Sequence, residues 1–164
     1  MKTMKGKPIT ILGTALKVGD KSPEFKAITQ SQEWMQLSDF KKPYVLISSV
    51  PSLDTSVCSL QTRTINEKLT SNPLIDVVTI SVDLPFAQKR WCGQEGLAMT
   101  TLSDYRTVEF GLKYGLLIDD LRLLARAVFL LNKEREVIYV EYLDEMSQHP
   151  NYDNLFEFID KNVK

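Results

Sequence analysis

Apolar and polar positions follow two periods along this chain, and the switches between them mark its elements. Tyr44-Val-Leu-Ile-Ser-Ser-Val50 and Ile75-Asp-Val-Val-Thr-Ile-Ser-Val82 are nearly continuous apolar runs, the pattern of strands buried on both faces. Between them, Val57 to Leu69 takes the helical period, with Val57, Leu60, Ile65 and Leu69 able to share one face. Pro85 suits the opening turn of a second helix through Phe86 to Gly93, and Thr107 to Tyr114 reads as a third that stops at Gly115. Ala125 to Leu131 and Glu136 to Leu143 form a hairpin around Asn132-Lys133-Glu134, and Asn151 to Val163 closes the chain as an amphipathic helix with Leu155, Phe156 and Ile159 inward. Before Tyr44, Pro8 to Val18 reads as an amino-terminal hairpin turning at Gly13-Thr14. Phe25 to Ile28 and Trp34 to Leu37 are short strands, and Ser38 to Pro43 is a turn. Trp34 and the remaining aromatics are assigned to the core. Strand–helix–strand crossovers followed by an antiparallel hairpin predict an α/β layered sheet.

No repeat, low-complexity tract or linker interrupts this order, so residues 1–164 are expected to be one domain, large enough for a core without disulfide staples. The 20 basic and 21 acidic residues leave a net charge of −1, which favours neither nucleic acid nor an anionic membrane as partner. No apolar stretch approaches the roughly 18 residues of a membrane span. Lys2, Lys5 and Lys7 ahead of Ile9 to Leu16 faintly imitate a signal peptide, but Thr10, Gly13 and Thr14 interrupt the apolar part and no A-x-A site follows. A cytoplasmic location is expected. That compartment keeps thiols reduced, so the two cysteines, Cys58 and Cys92, are not read as a structural bridge. With His149 the single histidine, a tetrahedral Cys/His zinc site cannot be assembled within one subunit, and there is no C-x-x-C. Three readings remain: two inert core cysteines, one reactive cysteine, or a reactive pair that meets only after a change of shape.

The position of Cys58 favours reactivity. It falls in the first turn of a helix that starts at the carboxyl end of a strand, where free backbone N–H groups and the positive end of the helix dipole collect. Such positions favour the thiolate, the reactive form of a cysteine. Arg126 interrupts an apolar strand, where a buried guanidinium is costly unless it is paired or functional. Bland roles exist for each residue. Thr55 or Asp54 serves as a helix N-cap, Arg126 pairs with a carboxylate such as Glu109, and Cys92 packs inertly beside Trp91. His149 is expected at the surface, and Tyr105-Arg106 and Asp119-Asp120 at the surface or a subunit contact.

Three separated blocks carry a resemblance. Pro51-x-x-x-Thr55-x-x-Cys58 has the form P-x-x-x-T-x-x-C, here in the fuller form P-S-x-D-T-x-V-C. Ser81 to Gly96 surrounds Cys92, and Leu124-Ala-Arg126-Ala-Val128 surrounds the arginine. Over essentially its whole length the chain resembles the thiol peroxidases, the atypical two-cysteine branch of the peroxiredoxins. Trp91 stands where phenylalanine is common in that branch, and Leu116 to Leu124 is compact and glycine-free. The resemblance implies a thioredoxin-like fold with an amino-terminal β-hairpin addition, and an antioxidant peroxidase that works without metal, haem, flavin or other cofactor. It implies Cys58 as the nucleophile that reduces hydrogen peroxide or organic hydroperoxides and becomes a sulfenic acid. Cys92 would resolve that acid as an intrachain disulfide, and thioredoxin would regenerate the thiols. Thr55 and Arg126 would activate sulfur and peroxide, Pro51 would shield the pocket, and the assembly would be a homodimer. A redox sensor or binding module without turnover is the alternative; the missing C-x-x-C argues against a thiol–disulfide exchanger.

Overall fold

The two buried runs form the middle of a seven-stranded sheet. The computed structural model describes residues 1–97 and 99–164. In chain order its elements are β1 (Thr3–Met4), β2 (Lys7–Pro8), β3 (Ile11–Leu12), β4 (Lys26–Ile28), β5 (Trp34–Gln36), β6 (Tyr44–Ser49) and α1 (Ser56–Leu69). There follow β7 (Ile75–Ser81), α2 (Pro85–Glu95), β8 (Thr100–Ser103), α3 (Glu109–Lys113), β9 (Leu117–Ile118), β10 (Ala127–Leu131), β11 (Val137–Tyr142) and α4 (Tyr152–Asn162). The sheet runs β11-β10-β6-β7-β8-β4-β5. Strands β6, β7 and β8 are parallel, and β10 pairs antiparallel with both β6 and β11.

Side-chain alternation explains why the central strands are apolar throughout. Val45 and Ile47 of β6, with Ala127, Phe129 and Leu131 of β10, point into one core with Phe25, Phe110 and Tyr114. Leu46, Val128 and Leu130 point the other way, against Ile65 and Leu69 of α1 and Leu155 and Ile159 of α4. Both faces are therefore covered. A third, smaller cluster sits where β6 ends, and it contains both cysteines with Val50, Leu53 and Trp91.

Several sequence expectations need correction. An amino-terminal hairpin is present, but it is β1–β2 with its turn at Lys5-Gly6, not residues 8–18 turning at Gly13. Ile11 and Leu12 instead pair with β9. Gly13 has a φ of +91°, and a Cβ there would run into the Leu112 carbonyl and, at 3.1 Å, the Cα of Gly115. Its glycine serves close backbone contact, which is indistinguishable in sequence from a turn signal. Strand β8 escaped the periodicity because Thr100-Thr-Leu-Ser103 holds a single apolar residue, although its last three residues are buried. Helix α3 is shorter than the 107–114 expected. Leu60 is 42% exposed and does not share the inward face of α1. Trp34 is 44% exposed rather than core, with the Lys26 ammonium 4.5 Å and the Arg106 guanidinium 5.7 Å from its ring centre. Among the described residues, no helix is long and apolar enough to cross a membrane.

Candidate active site

The chain leaves β6 at Ser49, buries Val50 and Pro51, and turns through Ser52 to Thr55 into α1. Asp83, just past β7, holds that turn: it accepts from the Ser52 hydroxyl and the Leu53 N–H, both at 2.8 Å, and from Ser81 at 2.8 Å. Thr55 is the N-cap residue with extended backbone (φ −98°, ψ 149°), yet its side chain makes no capping hydrogen bond among the described residues. Its hydroxyl donates backwards to the Ser52 carbonyl at 3.1 Å, instead of turning to the sulfur. The first-turn N–H groups of α1 are thereby left without a side-chain acceptor, and Cys58 is the third residue of that turn.

Cys58 is fully buried, and its Sγ accepts a hydrogen bond of 3.0 Å from Nη2 of Arg126. The guanidinium, 2% exposed, is fixed on its other edges: Nη1 donates to Oε1 of Gln61 at 2.8 Å and Nε to the Met146 carbonyl at 2.9 Å. Gln61 is anchored in turn by donating to the Ser48 hydroxyl at 2.8 Å. Glu109, the carboxylate considered as a partner for Arg126, bonds Lys113 and the Lys26 N–H instead. Among the described residues no carboxylate forms an ion pair with Arg126. A buried cation without a counter-charge is strongly disfavoured. What its Nη2 meets instead is the Cys58 sulfur.

A cleft of about 350 Å³ opens beside this pair, lined by Pro51, Thr55, Val57, Leu123, Arg126 and Met146 and closed by Met4 and Lys5 of the hairpin. Glu145 fastens the hairpin there, accepting from the Gly6 N–H at 2.7 Å and the Thr3 hydroxyl at 3.0 Å while it also binds Ser147. Hydrogen bonds from Ser147 and Gly6 hold its carboxyl down at about 2.

Cys92 lies near the end of α2, 6% exposed, among Val50, Leu53 and Trp91. Its Sγ takes one side-chain hydrogen bond, 3.4 Å from Nε2 of Gln30 in the β4–β5 loop. Burial pushes its thiol up, and the Gln30 donor opposes that. Both cysteines are free thiols. Among the described residues no cluster of His, Cys, Asp and Glu is placed to hold a metal ion. His149 is exposed, near the Tyr152 hydroxyl.

The structure thus lines one cleft with Pro51, Thr55 and Arg126, and places Cys58, bonded to Arg126, in the buried cluster that also holds Cys92. Sequence reasoning missed Gln61, Met146, Asp83 and the hairpin wall. A signal existed for Gln61: it stands three residues after Cys58 and so shares its helix face. The others come from distant segments and left no local trace.

The fold and the cleft define a thiol-based enzyme of the redoxin class, and the comparisons agree. The redoxin family profile matches residues 17–156. The thiol peroxidase of Halalkalibacterium halodurans is 51% identical over 156 residues, 94% of each chain. That of Oceanobacillus iheyensis is 47% identical over 160 residues, 97% of this chain and 98% of its own. A solved peroxiredoxin-like protein from Aquifex aeolicus superposes with a TM-score of 0.90 at 39% identity, over 98% of this chain and 95% of its own. The chain belongs to the redoxin family and is a peroxidase of the peroxiredoxin type.

Proposed function

We propose that this peroxidase reduces hydrogen peroxide and organic hydroperoxides at Cys58, is resolved by Cys92 through an intrachain disulfide, and is returned to the dithiol by thioredoxin. The observation that carries the reading is the buried Arg126 guanidinium, which among the described residues pairs with no carboxylate and donates to Cys58 Sγ at 3.0 Å. A guanidinium so held favours the thiolate. It has five N–H donors, of which Cys58, Gln61 and Met146 take three. The remaining two have no partner among the described residues and are available to a peroxide bound in the cleft that Arg126 lines.

The thiolate attacks one peroxide oxygen, an S–O bond forms as the O–O bond breaks, and the electron pair leaves on the distal oxygen as alkoxide or hydroxide. Fixed donors stabilise that charge without reorganising. The Thr55 hydroxyl, already donating to Ser52, keeps lone pairs to accept the peroxide hydrogen. Pro51 brings no N–H to the pocket and helps exclude water. Cys58 becomes a sulfenic acid. Cys92 then attacks its sulfur, an S–S bond replaces S–O, and the thiol proton and hydroxyl leave as water.

Both cysteines sit in formed helices, and a disulfide needs its Cα atoms about 4.4–6.8 Å apart. Local unwinding accompanies this step, and α2 is the easier helix to unwind. Its buried residues are only Pro85, Gln88, Trp91 and Cys92, and of its ion pairs to the active-site side Arg90–Asp54 (3.2 Å) is exposed and Arg63–Glu95 (3.8 Å) is long and partly exposed. The working form is taken to be a cytoplasmic homodimer serving antioxidant defence. The test is peptide mapping by mass after one equivalent of hydrogen peroxide, on wild type and Cys92→Ser. A Cys58–Cys92 linkage in wild type and a trapped sulfenic acid on Cys58 in the variant are expected. A linkage between two chains, or a stable sulfenic acid in wild type, removes the resolving role from Cys92. Sustained peroxide consumption with a thioredoxin system separates turnover from one-shot sensing.

A further inference from the structure

The contact between Gln30 and Cys92 has no part in peroxide reduction, yet it is the one side-chain hydrogen bond that Cys92 Sγ receives among the described residues. Gln30 lies in the loop between β4 and β5, and the same amide nitrogen donates to the Thr101 hydroxyl of β8 at 2.7 Å. Thr101 itself is 3% exposed and fixed in the sheet. The arrangement is a chain of contacts, Thr101 to Gln30 to Cys92, that ties the carboxyl half of α2 to the β8–β4 side of the sheet. Cys58 is tied the opposite way, to Arg126 at the start of β10. Strands β10 and β4 are four places apart in the sheet order, about 19 Å at ~4.8 Å per strand. Each sulfur is therefore held toward its own flank of the cluster they share.

We propose that Gln30 is a positioning residue for the resolving step, a latch that retains Cys92 on its own side of the cluster and must release it before the Cys58–Cys92 bond forms. The inference rests on the two-cysteine reading above. The latch stabilises the closed arrangement of α2 and is absent from the opened one, so it slows resolution and prolongs the life of the Cys58 sulfenic acid. A longer-lived sulfenic acid meets a second peroxide more often, which carries Cys58 to the sulfinic acid. In the closed state burial disfavours the thiolate of Cys92, so the attacking thiolate arises on release. A groove of about 340 Å³ beside Gln30, with Lys89 and Thr101 on its walls, leaves the amide room to swing away. Gln30 is half-buried in a surface loop, so its truncation spares the core.

The test follows tryptophan fluorescence in stopped flow after mixing with hydrogen peroxide, where a peroxide-dependent phase reports Cys58 oxidation and a peroxide-independent phase reports resolution. Wild type, Gln30→Ala, Thr101→Val and the double variant are compared, with the products identified by mass. Gln30→Ala is expected to speed the second phase roughly three- to tenfold, the worth of one modest hydrogen bond, and to lower the sulfinic acid formed per dose of peroxide. Thr101→Val is expected to give part of that gain, and the double variant no more than Gln30→Ala alone, because both act through one latch. A second phase in Gln30→Ala as slow as wild type or slower overturns the proposal, as do effects of the two substitutions that multiply independently. If wild type forms no intrachain disulfide, the two-cysteine reading falls and the latch with it. If wild type forms it and the Gln30 rates are unmoved, the latch alone falls.

Discussion

On α1, Cys58 faces Arg126, and behind Arg126 stand Gln61, Ser48 and the Met146 carbonyl, each at 2.8–3.0 Å from its neighbour. On α2, Cys92 faces Trp91, Leu53, Val50 and a single amide at 3.4 Å. Both thiols are buried, but one is buried against a cation and the other against hydrocarbon. The inward face of α1 is accordingly polar for half its length, with Gln61, Thr62 and Asn66 buried beside Ile65 and Leu69. A satisfied polar network is rigid because every member holds its neighbours in one geometry. Around Cys92 the polar contacts are fewer: Gln30 reaches its sulfur, Gln88 of the same helix donates to the Ser81 hydroxyl and the Leu102 carbonyl, and the ion pairs of α2 lie at or near the surface. In this fold Cys58 is held by a polar network, and Cys92 by one long side-chain contact among the described residues.

That contrast breaks most sharply at Arg126. Arg126→Met keeps the bulk and removes the charge, and Cys58 oxidation should slow by about 10²–10³-fold, the usual cost of a lost electrostatic donor. Competition kinetics for hydrogen peroxide would measure it, and a loss under tenfold would mean that the helix start alone activates the sulfur. Gln61→Leu removes one fixing contact and leaves a guanidinium donor unpaired. The same assay should show about a tenfold loss, and urea unfolding a stability loss of about 1–3 kcal/mol. On the α2 side, Arg90→Ala cuts an exposed bridge, so the resolving phase should quicken by less than about threefold with the peroxide phase untouched.

The smallest effect is a pH dependence. The folded-state pKa of Cys92 is raised by burial, so the stability it contributes is fully present below the thiol's unfolded pKa and is lost as pH rises through the folded one. The urea midpoint of wild type relative to Cys92→Ala should therefore fall between pH 8 and pH 10. A constant difference across that window would mean the thiolate is as comfortable in this cluster as in water.

The central strands and the order of helices were legible in the sequence because buried two-faced strands and cysteine-bearing helix starts are local patterns. Thr100–Ser103 was not legible, since a short strand of threonine and serine acquires its burial from neighbours on either side. Gly13 misled for a related reason: a glycine demanded by Leu112 and Gly115, a hundred residues away, looks like a glycine demanded by a turn. At the site, the P-x-x-x-T-x-x-C block marked the cleft, while the acceptors that aim Arg126 did not stand out. Gln61 reads as an ordinary helix-surface residue until the backbone turns it inward, and the Met146 contact is made by a carbonyl that every residue possesses.

The bonds from Glu145 to Thr3 and Gly6 join positions about 140 residues apart in the chain. Contacts of such separation form late in folding, because closing so long a loop must be compensated by structure already in place. During synthesis the segment carrying Cys58 precedes Arg126, Met146 and Glu145, so a nascent chain carries a cysteine with no guanidinium beside it and no wall around it. The hairpin, although made first, has nothing to fasten to until nearly everything else has followed. The cleft beside Arg126 is thus walled only in the completed molecule.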